Sequence, residues 1–320
     1  HESTTSFDLV HGNQSKSIAL VNKQNSALRI VLRELGIKRL CLPGWICPSV
    51  INAISDFCSL CYYETGFDML PKNSSKTLVS GMDGLLLVNY YGINDEKISD
   101  LTEYWERQGL TTIVDCAHSL FYNGSGNIIL KSPRKFAGLT DGGILLSKNK
   151  ITSGNIPTVH YSCPDSQYQQ LRDGGSIHSG YLKFRQHESL LDNTQDLLMS
   201  EQSQKALENI DWSLIKLKRS DNFQYLDQAL GAYNQIGKFI NACSISALYY
   251  PFRVQNGALL RNRLRESGVF APILWNGIPL GLTSKREDHM IENTVLLPID
   301  HRYDEEDMKF VCELVLTAIS

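Results

Sequence analysis

Three predicted strands of this sequence are each followed by residues that could do chemistry. The strand at 111–114 is followed by Asp115-Cys116-Ala117-His118, the strand at 85–90 by Tyr91-Gly92, and the strand at 40–42 by Pro43-Gly44-Trp45. In open parallel sheets, ligands bind beyond the carboxyl ends of the strands. We therefore expect an acid, a histidine and large aromatic rings at one edge of a sheet. Taken alone, Asp115 could cap a turn and His118 could be an ordinary histidine.

A second segment of interest begins at Ser132 and contains Lys135. Residues 132–143 are rich in small and charged residues, end in Gly142-Gly143 and run directly into the apolar strand at 144–146. Small residues let a backbone approach another group closely, so this loop favours a binding function. On its own, Lys135 would be interpreted as a solvated surface lysine.

The elements that must position these residues alternate along the chain. The apolar periodicity predicts helices over 25–36, 48–57 and 95–108, and short strands over 38–43, 60–64, 84–90 and 110–115. Apolar strands separated by helices of roughly 10–14 residues are typical of a mostly parallel sheet covered on both faces. The fold class is therefore α/β.

The second half of the chain has a different pattern. Strand-like pieces occupy 127–149, and the segment up to Gly180, with Gly174 and Gly175, is expected to be an exposed loop. Residues 182–229 are helical in composition. They are followed by the segment 243–254, a helix at 257–267, a strand at 269–274 and a last helix near 304–319. We predict a large domain over 1–235, including a helical connector over about 182–235, and a small α/β domain over 236–320.

The two motifs together resemble the DegT/DnrJ/EryC1/StrS family of pyridoxal-phosphate enzymes, best known as sugar aminotransferases. In that family a Gly-Gly pair follows the lysine by seven and eight residues, as Gly142-Gly143 follows Lys135. The family's Asp-x-Ala-His/Gln motif is similar to the segment from Asp115 to His118, although the spacing to the lysine is slightly short.

The resemblance covers roughly residues 20–320. Asn25-Ser26-Ala27-Leu28 is similar to the family's Gly-Thr-x-Ala-Leu, and Trp45 stands at the position of its cofactor-stacking aromatic. The segments at 88–92 and 297–307 also resemble family segments. Each motif is weak alone, but their common order makes coincidence improbable. The resemblance implies the aspartate-aminotransferase fold, which is fold type I of the pyridoxal-phosphate enzymes.

The family chemistry assigns a role to each matched residue. Lys135 would form the Schiff base with the cofactor and then move the proton during transfer. Asp115 would face the pyridine nitrogen, His118 the ring hydroxyl, and Trp45 the ring face. The cofactor phosphate would be bound by Asn25 and Ser26 at a helix start, and Ser132 could join them.

The resemblance further implies an amino-acid donor such as glutamate, a nucleotide-linked keto-sugar as acceptor, and a homodimer. Two departures weaken the assignment of the substrate. Residues 180–185 lack the asparagine with which many relatives reach the partner's cofactor phosphate, so Lys183 or Arg185 would supply charge instead. Asp141 also replaces the common Glu before Gly-Gly.

Composition narrows the class of partner. With 31 Lys+Arg against 34 Asp+Glu the formal charge is −3, so no basic field favours nucleic acid or an anionic membrane. The eight cysteines are expected to be reduced and the protein cytoplasmic, because no secretory signal is visible. Cys58-x-x-Cys61 has no second ligand pair, and no metal site is assigned.

Three other interpretations of the motifs are possible. Ser132-Pro133-Arg134-Lys135 and Ser220-Asp221-Asn222 are two of the three motifs of penicillin-recognising serine enzymes, but the Lys-Thr-Gly is missing. A sugar dehydratase would keep the cofactor but lack the lysine, so Lys135 argues against it. A catalytically idle relative would serve as a binding protein.

Overall fold

A seven-stranded sheet dominates the first half of the chain. The computed structural model describes residues 17–72, 79–163, 167–240 and 247–319. The strands of this sheet are β1 (Ser17–Val21), β2 (Arg39–Pro43), β3 (Ser59–Tyr63), β4 (Gly84–Val88), β5 (Thr111–Cys116), β6 (Ile128–Lys131) and β7 (Gly143–Ser147). Their order is β1-β7-β6-β5-β4-β2-β3, and only β7 runs antiparallel to its neighbours on both sides. The prediction of a mostly parallel sheet is confirmed.

Helices account for most of the remaining regular structure. They are α1 (Gln24–Glu34), α2 (Pro48–Ile54), α3 (Asp95–Arg107), α4 (Gln167–Asp173), α5 (Ile177–Asn193), α6 (Glu201–Asn209), α7 (Trp212–Leu230), α8 (Gly257–Glu266), α9 (Lys285–Asn293) and α10 (Glu305–Ile319). Short 3₁₀ turns follow β4 and β6. Ser284 and Glu287 form a capping box at the start of α9, which satisfies backbone N–H groups that the helix itself leaves unpaired.

The central strands are buried on both faces, which explains their continuous apolar runs. All five residues of β4 are buried, with Leu86 and Val88 in one hydrophobic cluster and Leu85 and Leu87 in the other. This alternation follows from the two-residue period of a strand. Apolar side chains of α1 belong to the first cluster and those of α3 to the second. The two helices therefore cover opposite faces of the sheet.

A second, two-stranded antiparallel sheet pairs β8 (Tyr249–Arg253) with β9 (Thr294–Pro298). Arg219 of α7 links this part of the chain to the first half. Its Nη2 donates to Asp300 Oδ2 at 2.7 Å just beyond β9, and its Nη1 donates to the carbonyl of Leu248 at 3.1 Å. Its guanidinium also lies 4.9 Å from the centre of the Phe136 ring, next to Lys135. The division at residue 235 remains a prediction.

Two of the sequence predictions are wrong. Residues 269–274, predicted as a strand, form no regular element, and the second strand of the small sheet is β9 instead. The segment expected to be a loop up to Gly180 contains α4 and the start of α5, with Gly180 buried inside α5. The helical packing of α4 against α5 overrides the local preference of glycine for turns. The first four residues of the segment 243–254 lie outside the described residues.

Candidate active site

The carboxyl ends of β5, β4 and β2 lie side by side, because these strands are parallel neighbours in the sheet. Asp115 pairs with Val88 in register, so the turns that follow the two strands begin at the same level. The Tyr90 hydroxyl donates to the carbonyl of Trp45. The expected convergence of an acid, a histidine and aromatic rings is therefore found.

Asp115 is buried at the end of β5, with 7% of its surface exposed. Its Oδ1 accepts hydrogen bonds from Gln24 Nε2 at 2.6 Å and from the backbone N–H of Ala117 at 2.9 Å. Gln24 is the first residue of α1. The carboxylate is therefore held in a fixed orientation, facing the positive end of a helix. No pattern in the sequence indicates the part played by Gln24.

His118 lies between two aromatic rings. Its ring is parallel to that of Tyr91, with 5.9 Å between centroids and an interplanar angle of 4°, and is 5.4 Å from Trp275. It is 2% exposed, and neither ring nitrogen has a hydrogen-bond partner in the described part of the chain. Burial, helped by the charge of Lys135, holds the pKa of His118 well below its usual range. A neutral imidazole therefore offers one donor and one acceptor to a ligand.

Trp45 is completely buried, and its environment comes from distant parts of the chain. Its Nε1 donates to the carbonyl of Leu274 at 2.8 Å, and its ring lies 5.2 Å from that of Tyr90. A β-carbon at Gly44 would lie only 2.1 Å from the Leu282 carbonyl oxygen. Gly44 is therefore required for the close packing of the segment 274–282 against the end of β2.

Trp275 belongs to this covering segment and was not predicted as a site residue. Besides stacking on His118, it lines a cavity of about 440 Å³ between residues 273–283 and the helices α8 and α9. Its distance from His118 along the chain and the lack of a local motif around it explain why sequence reasoning missed it.

Lys135 ends the 3₁₀ turn after β6, where its backbone N–H donates to the carbonyl of Ser132 at 3.2 Å. Ser132 is buried, but the Lys135 side chain reaches solvent. The surrounding protein nevertheless excludes enough water to lower the pKa of the Lys135 amine, a shift that the charges of Cys47 and Asp115 partly offset. Lys135 is therefore exposed, while its amine experiences the charges of Cys47 and Asp115. Cys47 was also missed at the sequence level.

The glycine pair beyond Lys135 serves close approach, as the sequence predicts. A β-carbon at Gly143 would lie 2.5 Å from the backbone of Lys23 and Gln24, so only glycine lets β7 begin against the start of α1. Gly142 has a φ of 141°, and its N–H donates to the carbonyl of Asn22 at 2.7 Å. The loop from Lys135 is thereby tied to the helix start near Asp115.

Asp141, the acid before the glycine pair, has a structural task. Its carboxylate accepts hydrogen bonds from the Ser200 backbone N–H at 2.8 Å and from the hydroxyls of Ser200 and Ser203 at 2.6 Å each. These contacts fix the start of α6. A buried carboxylate saturated with such donors does not face the cleft and is not available for chemistry.

The start of α1 is where Asn25 and Ser26 were expected to bind a phosphate. Asn25 Nδ2 donates to the Ser49 carbonyl at 3.1 Å, and the buried Ser26 hydroxyl donates to Asn22 Oδ1 at 2.8 Å. Both side chains thus have protein partners. The Ser26 backbone N–H donates to the Lys23 carbonyl at 3.0 Å, but the positive end of the helix dipole still favours an anion at this helix start.

Lys23 precedes α1 and is buried, with its Nζ donating to the carbonyls of Leu191, Asp192 and Thr194 at 2.6, 2.7 and 2.8 Å. It therefore caps the end of α5. Burial lowers the pKa of Lys23 to about 8. The residues 180–185, expected near a partner's site, lie on α5, where Lys183 and Arg185 are exposed.

No protein-family model matches the sequence, and no curated protein is similar to it in sequence. Solved structures are similar in fold. A DegT DnrJ EryC1 StrS aminotransferase from Brucella abortus is 13% identical, with 95% of this chain and 86% of that chain covered at a TM-score of 0.63. NtdA from Bacillus subtilis, solved with bound cofactor PMP, is 14% identical, with 95% and 74% covered and a TM-score of 0.70.

PseC from Helicobacter pylori, an aminotransferase involved in the biosynthesis of pseudoaminic acid, is also similar in fold. It is 13% identical, with 95% of this chain and 87% of that chain covered and a TM-score of 0.67. The chain thus has the fold of these aminotransferases, fold type I of the pyridoxal-phosphate enzymes. The predicted fold class is confirmed.

Proposed function

We propose that this chain is a pyridoxal-phosphate-dependent aminotransferase of the DegT/DnrJ/EryC1/StrS type. It would move an amino group from an amino acid, glutamate in the simplest case, to a nucleotide-linked keto-sugar. The observation that carries the proposal is the group formed by Lys135, Asp115 and His118 at one edge of the sheet, in a fold shared with NtdA and PseC.

The residues present fit this cofactor. Both ring nitrogens of buried His118 lack a partner in the described residues, and such an orphaned polar group favours a missing ligand. Asp115 is buried with a fixed carboxylate, which suits a protonated ring nitrogen. When bound, pyridoxal phosphate supplies an aldehyde that condenses with amines and a ring that accepts electrons.

Each residue has a definite task in this proposal. The lowered pKa of Lys135 increases the fraction of neutral amine, the form that can attack a carbonyl and later accept and return a proton. Asp115 holds a positive charge at the ring nitrogen. His118 donates to or accepts from the ring hydroxyl, and Trp45 contacts the ring face. The helix start at Asn25 and Ser26, with Ser132, binds the phosphate.

The substrate would enter beside Trp275. This residue lines a cavity of about 440 Å³ with room for a sugar, and its ring also stacks on His118. Aromatic faces such as that of Trp275 pack well against the apolar face of a sugar ring. The similarity in fold to PseC, an aminotransferase in the biosynthesis of pseudoaminic acid, supports a sugar acceptor for this chain too.

The working unit in this proposal is a homodimer in the cytoplasm. Tyr181 and Leu182 on α5 are 46% and 51% exposed, beside the exposed Lys183 and Arg185, and a second copy would cover them. The cysteines of the described residues form no disulfide. Within the described ranges, no helix is long and apolar enough to span a bilayer.

The test is a half-reaction with amino donors. Purified protein loaded with pyridoxal phosphate is mixed with single amino acids, and the loss of the yellow absorption band is followed. We expect glutamate or a related amino acid to bleach the band in wild type and in the Lys218→Ala control, whose side chain is exposed. Lys135→Ala should not react. Equal bleaching by Lys135→Ala would contradict the proposal.

A further inference from the structure

A thiol and an imidazole lie together beside the loop that joins Lys135 to β7. Cys163 Sγ is 3.8 Å from His187 Nδ1, and His187 Nε2 is 2.6 Å from the carbonyl oxygen of Thr140. A carbonyl oxygen can only accept, so Nε2 must carry the hydrogen. Nδ1 then presents a lone pair, and the thiol donates to it. The Thr140 carbonyl thus orients a base towards a sulfur atom.

The imidazole is fixed by packing as well as by this hydrogen bond. His187 is 3% exposed, and the Tyr168 ring lies 5.1 Å from its centroid at an angle of 33°. Cys163 is only partly buried, so part of the residue is accessible to solvent. An oriented base next to an accessible thiol is the arrangement that activates cysteine nucleophiles.

A second group points to a ligand at the same place. Tyr161 is 6% exposed, and its hydroxyl has no hydrogen-bond partner in the described ranges. Tyr161 lies two residues before Cys163 in the chain, and burial together with the charge of Cys163 raises the pKa of Tyr161 to about 12. It is therefore an available donor for an oxygen atom of a molecule that reacts with Cys163.

The charged side chains near Cys163 and His187 include both a cation and carboxylates. Arg134 and Glu188 form a two-contact ion pair beside His187, and Arg134, Glu188 and Asp141 all act on the electrostatics of Tyr161. Asp141 is saturated by hydrogen bonds at the start of α6. Glu188, the residue after His187, is therefore paired with Arg134.

Four of the other six described cysteines are expected to react slowly. Burial raises the pKa of Cys41 to about 12 and that of Cys312 to about 11, and it also raises the pKa of Cys58 and Cys116. A thiol with a raised pKa is rarely a thiolate at neutral pH and reacts slowly. Any selective thiol chemistry of the described chain is therefore expected elsewhere.

We propose that Cys163 and His187 form a nucleophilic pair that reacts with small uncharged conjugated carbonyl compounds, a reactive site distinct from Lys135. The proton moves from Sγ to Nδ1, and the sulfur forms a bond to the β-carbon of the compound. The carbon–carbon π electrons shift towards the carbonyl, whose oxygen accepts a hydrogen bond from the Tyr161 hydroxyl. The proton on Nδ1 then passes to the α-carbon, which leaves a neutral thioether.

Acrylamide is the probe, and peptide mass spectrometry reports the rate at each cysteine of the full chain. At neutral pH we expect Cys163 to react roughly tenfold or more faster than Cys47, which is also partly buried but whose sulfur contacts the Ser49 hydroxyl instead of an imidazole. His187→Gln keeps a donor for the Thr140 carbonyl and removes the base, so the Cys163 rate should fall by about tenfold. Tyr161→Phe should slow it by a smaller factor.

The wild-type pH profile protects the test against variants that fail to fold. An ordinary thiol gains reactivity until the pH passes its pKa of about 8.5, whereas a paired thiol levels off at lower pH. A Cys163 rate that rises up to about pH 8.5, or a rate equal to that of Cys47, overturns the proposal. So does an unchanged Cys163 rate in a folded His187→Gln variant.

Discussion

Arg219 connects α7 to both the small sheet and the segment that carries Lys135, and its replacement gives a sharp test of how these parts are held together. The side chain is 1% exposed and pairs with Asp300, which is 21% exposed, at 2.7 Å. Arg219→Met keeps most of the apolar chain but removes the charge. The Leu248 carbonyl loses its donor, and Phe136 loses the cation above its ring.

The magnitude follows from what is left unpaired. Removing one partner of a fully buried ion pair costs about 3–5 kcal/mol. Asp300 is partly exposed and still pairs with Arg302, whose Nε lies 2.6 Å from Asp300 Oδ1, so the Asp300 carboxylate keeps one cationic partner. We therefore expect Arg219→Met to lower the free energy of unfolding by about 2–4 kcal/mol at neutral pH.

The effect should depend on pH with a definite sign. Burial raises the pKa of Asp300, but the charge of Arg219 and the bond from Arg302 outweigh burial and leave it below its usual value. Burial lowers the pKa of Arg219 itself, yet a guanidinium stays charged throughout the accessible range. His301 Nδ1, 3.6 Å from Asp300, also has a pKa lowered by burial. A depressed carboxyl pKa stabilises the fold above about pH 4, and this contribution is lost as the pH falls through the folded value.

Denaturant unfolding of wild type, Arg219→Met and Arg302→Met provides the assay. Arg302 contacts the same carboxylate but is 58% exposed, so its loss should cost less than about 1 kcal/mol. The difference between wild type and Arg219→Met should shrink below about pH 4. Equal costs for the two variants at neutral pH would refute the view that the buried contacts of Arg219 join the two sheets.

Three further predictions concern the cleft and the helix start beside it. Asp115→Asn should keep the fold, because the amide oxygen can still accept a hydrogen bond from Gln24. The half-reaction with an amino donor should nevertheless slow by orders of magnitude, because the charge at the ring nitrogen is lost. Near-normal rates would contradict the proposed role of Asp115 at the ring nitrogen. Trp275→Ala should admit water to His118 and raise the pKa of that ring, which NMR titration can follow. An unchanged pKa would mean that Trp275 does not shield His118 from water. Lys23→Met leaves the carbonyls of Asp192 and Thr194 without their donor, whereas the Leu191 carbonyl keeps the Thr194 N–H. The change should lower the free energy of unfolding by about 2 kcal/mol or more in denaturant titrations, and no loss would show that water replaces the amine.

Local pattern predicts much of the sheet and of the site. Strands β2, β4 and β5 are short apolar runs with clear ends, so the amino-acid pattern alone places their carboxyl ends, and with them Asp115, His118 and Trp45, at one edge of the sheet. The spacing of Lys135 to the glycine pair is also local. The steric need for Gly143 beside the start of α1 gives that spacing a physical reason.

The remaining features depend on contacts between residues far apart in the chain. Trp275 and Leu274 reach His118 and Trp45 from distant positions in the sequence, in a segment whose apolar residues suggested a strand. Gly180 is buried inside α5, although no local signal around this glycine predicts a helix. Asp141 resembled a substituted site residue, and only the contacts with Ser200 and Ser203 show it to be a cap.

Covalent attachment of the cofactor to Lys135 is central to the proposed function and can be measured directly. Protein saturated with pyridoxal phosphate is reduced with borohydride, digested and mapped by peptide mass spectrometry, with unreduced protein as the control. We predict a reduction-dependent cofactor adduct on Lys135, present in Lys218→Ala and absent from Lys135→Ala. An adduct confined to another lysine, or no adduct in saturated wild-type protein, would contradict the proposed role of Lys135.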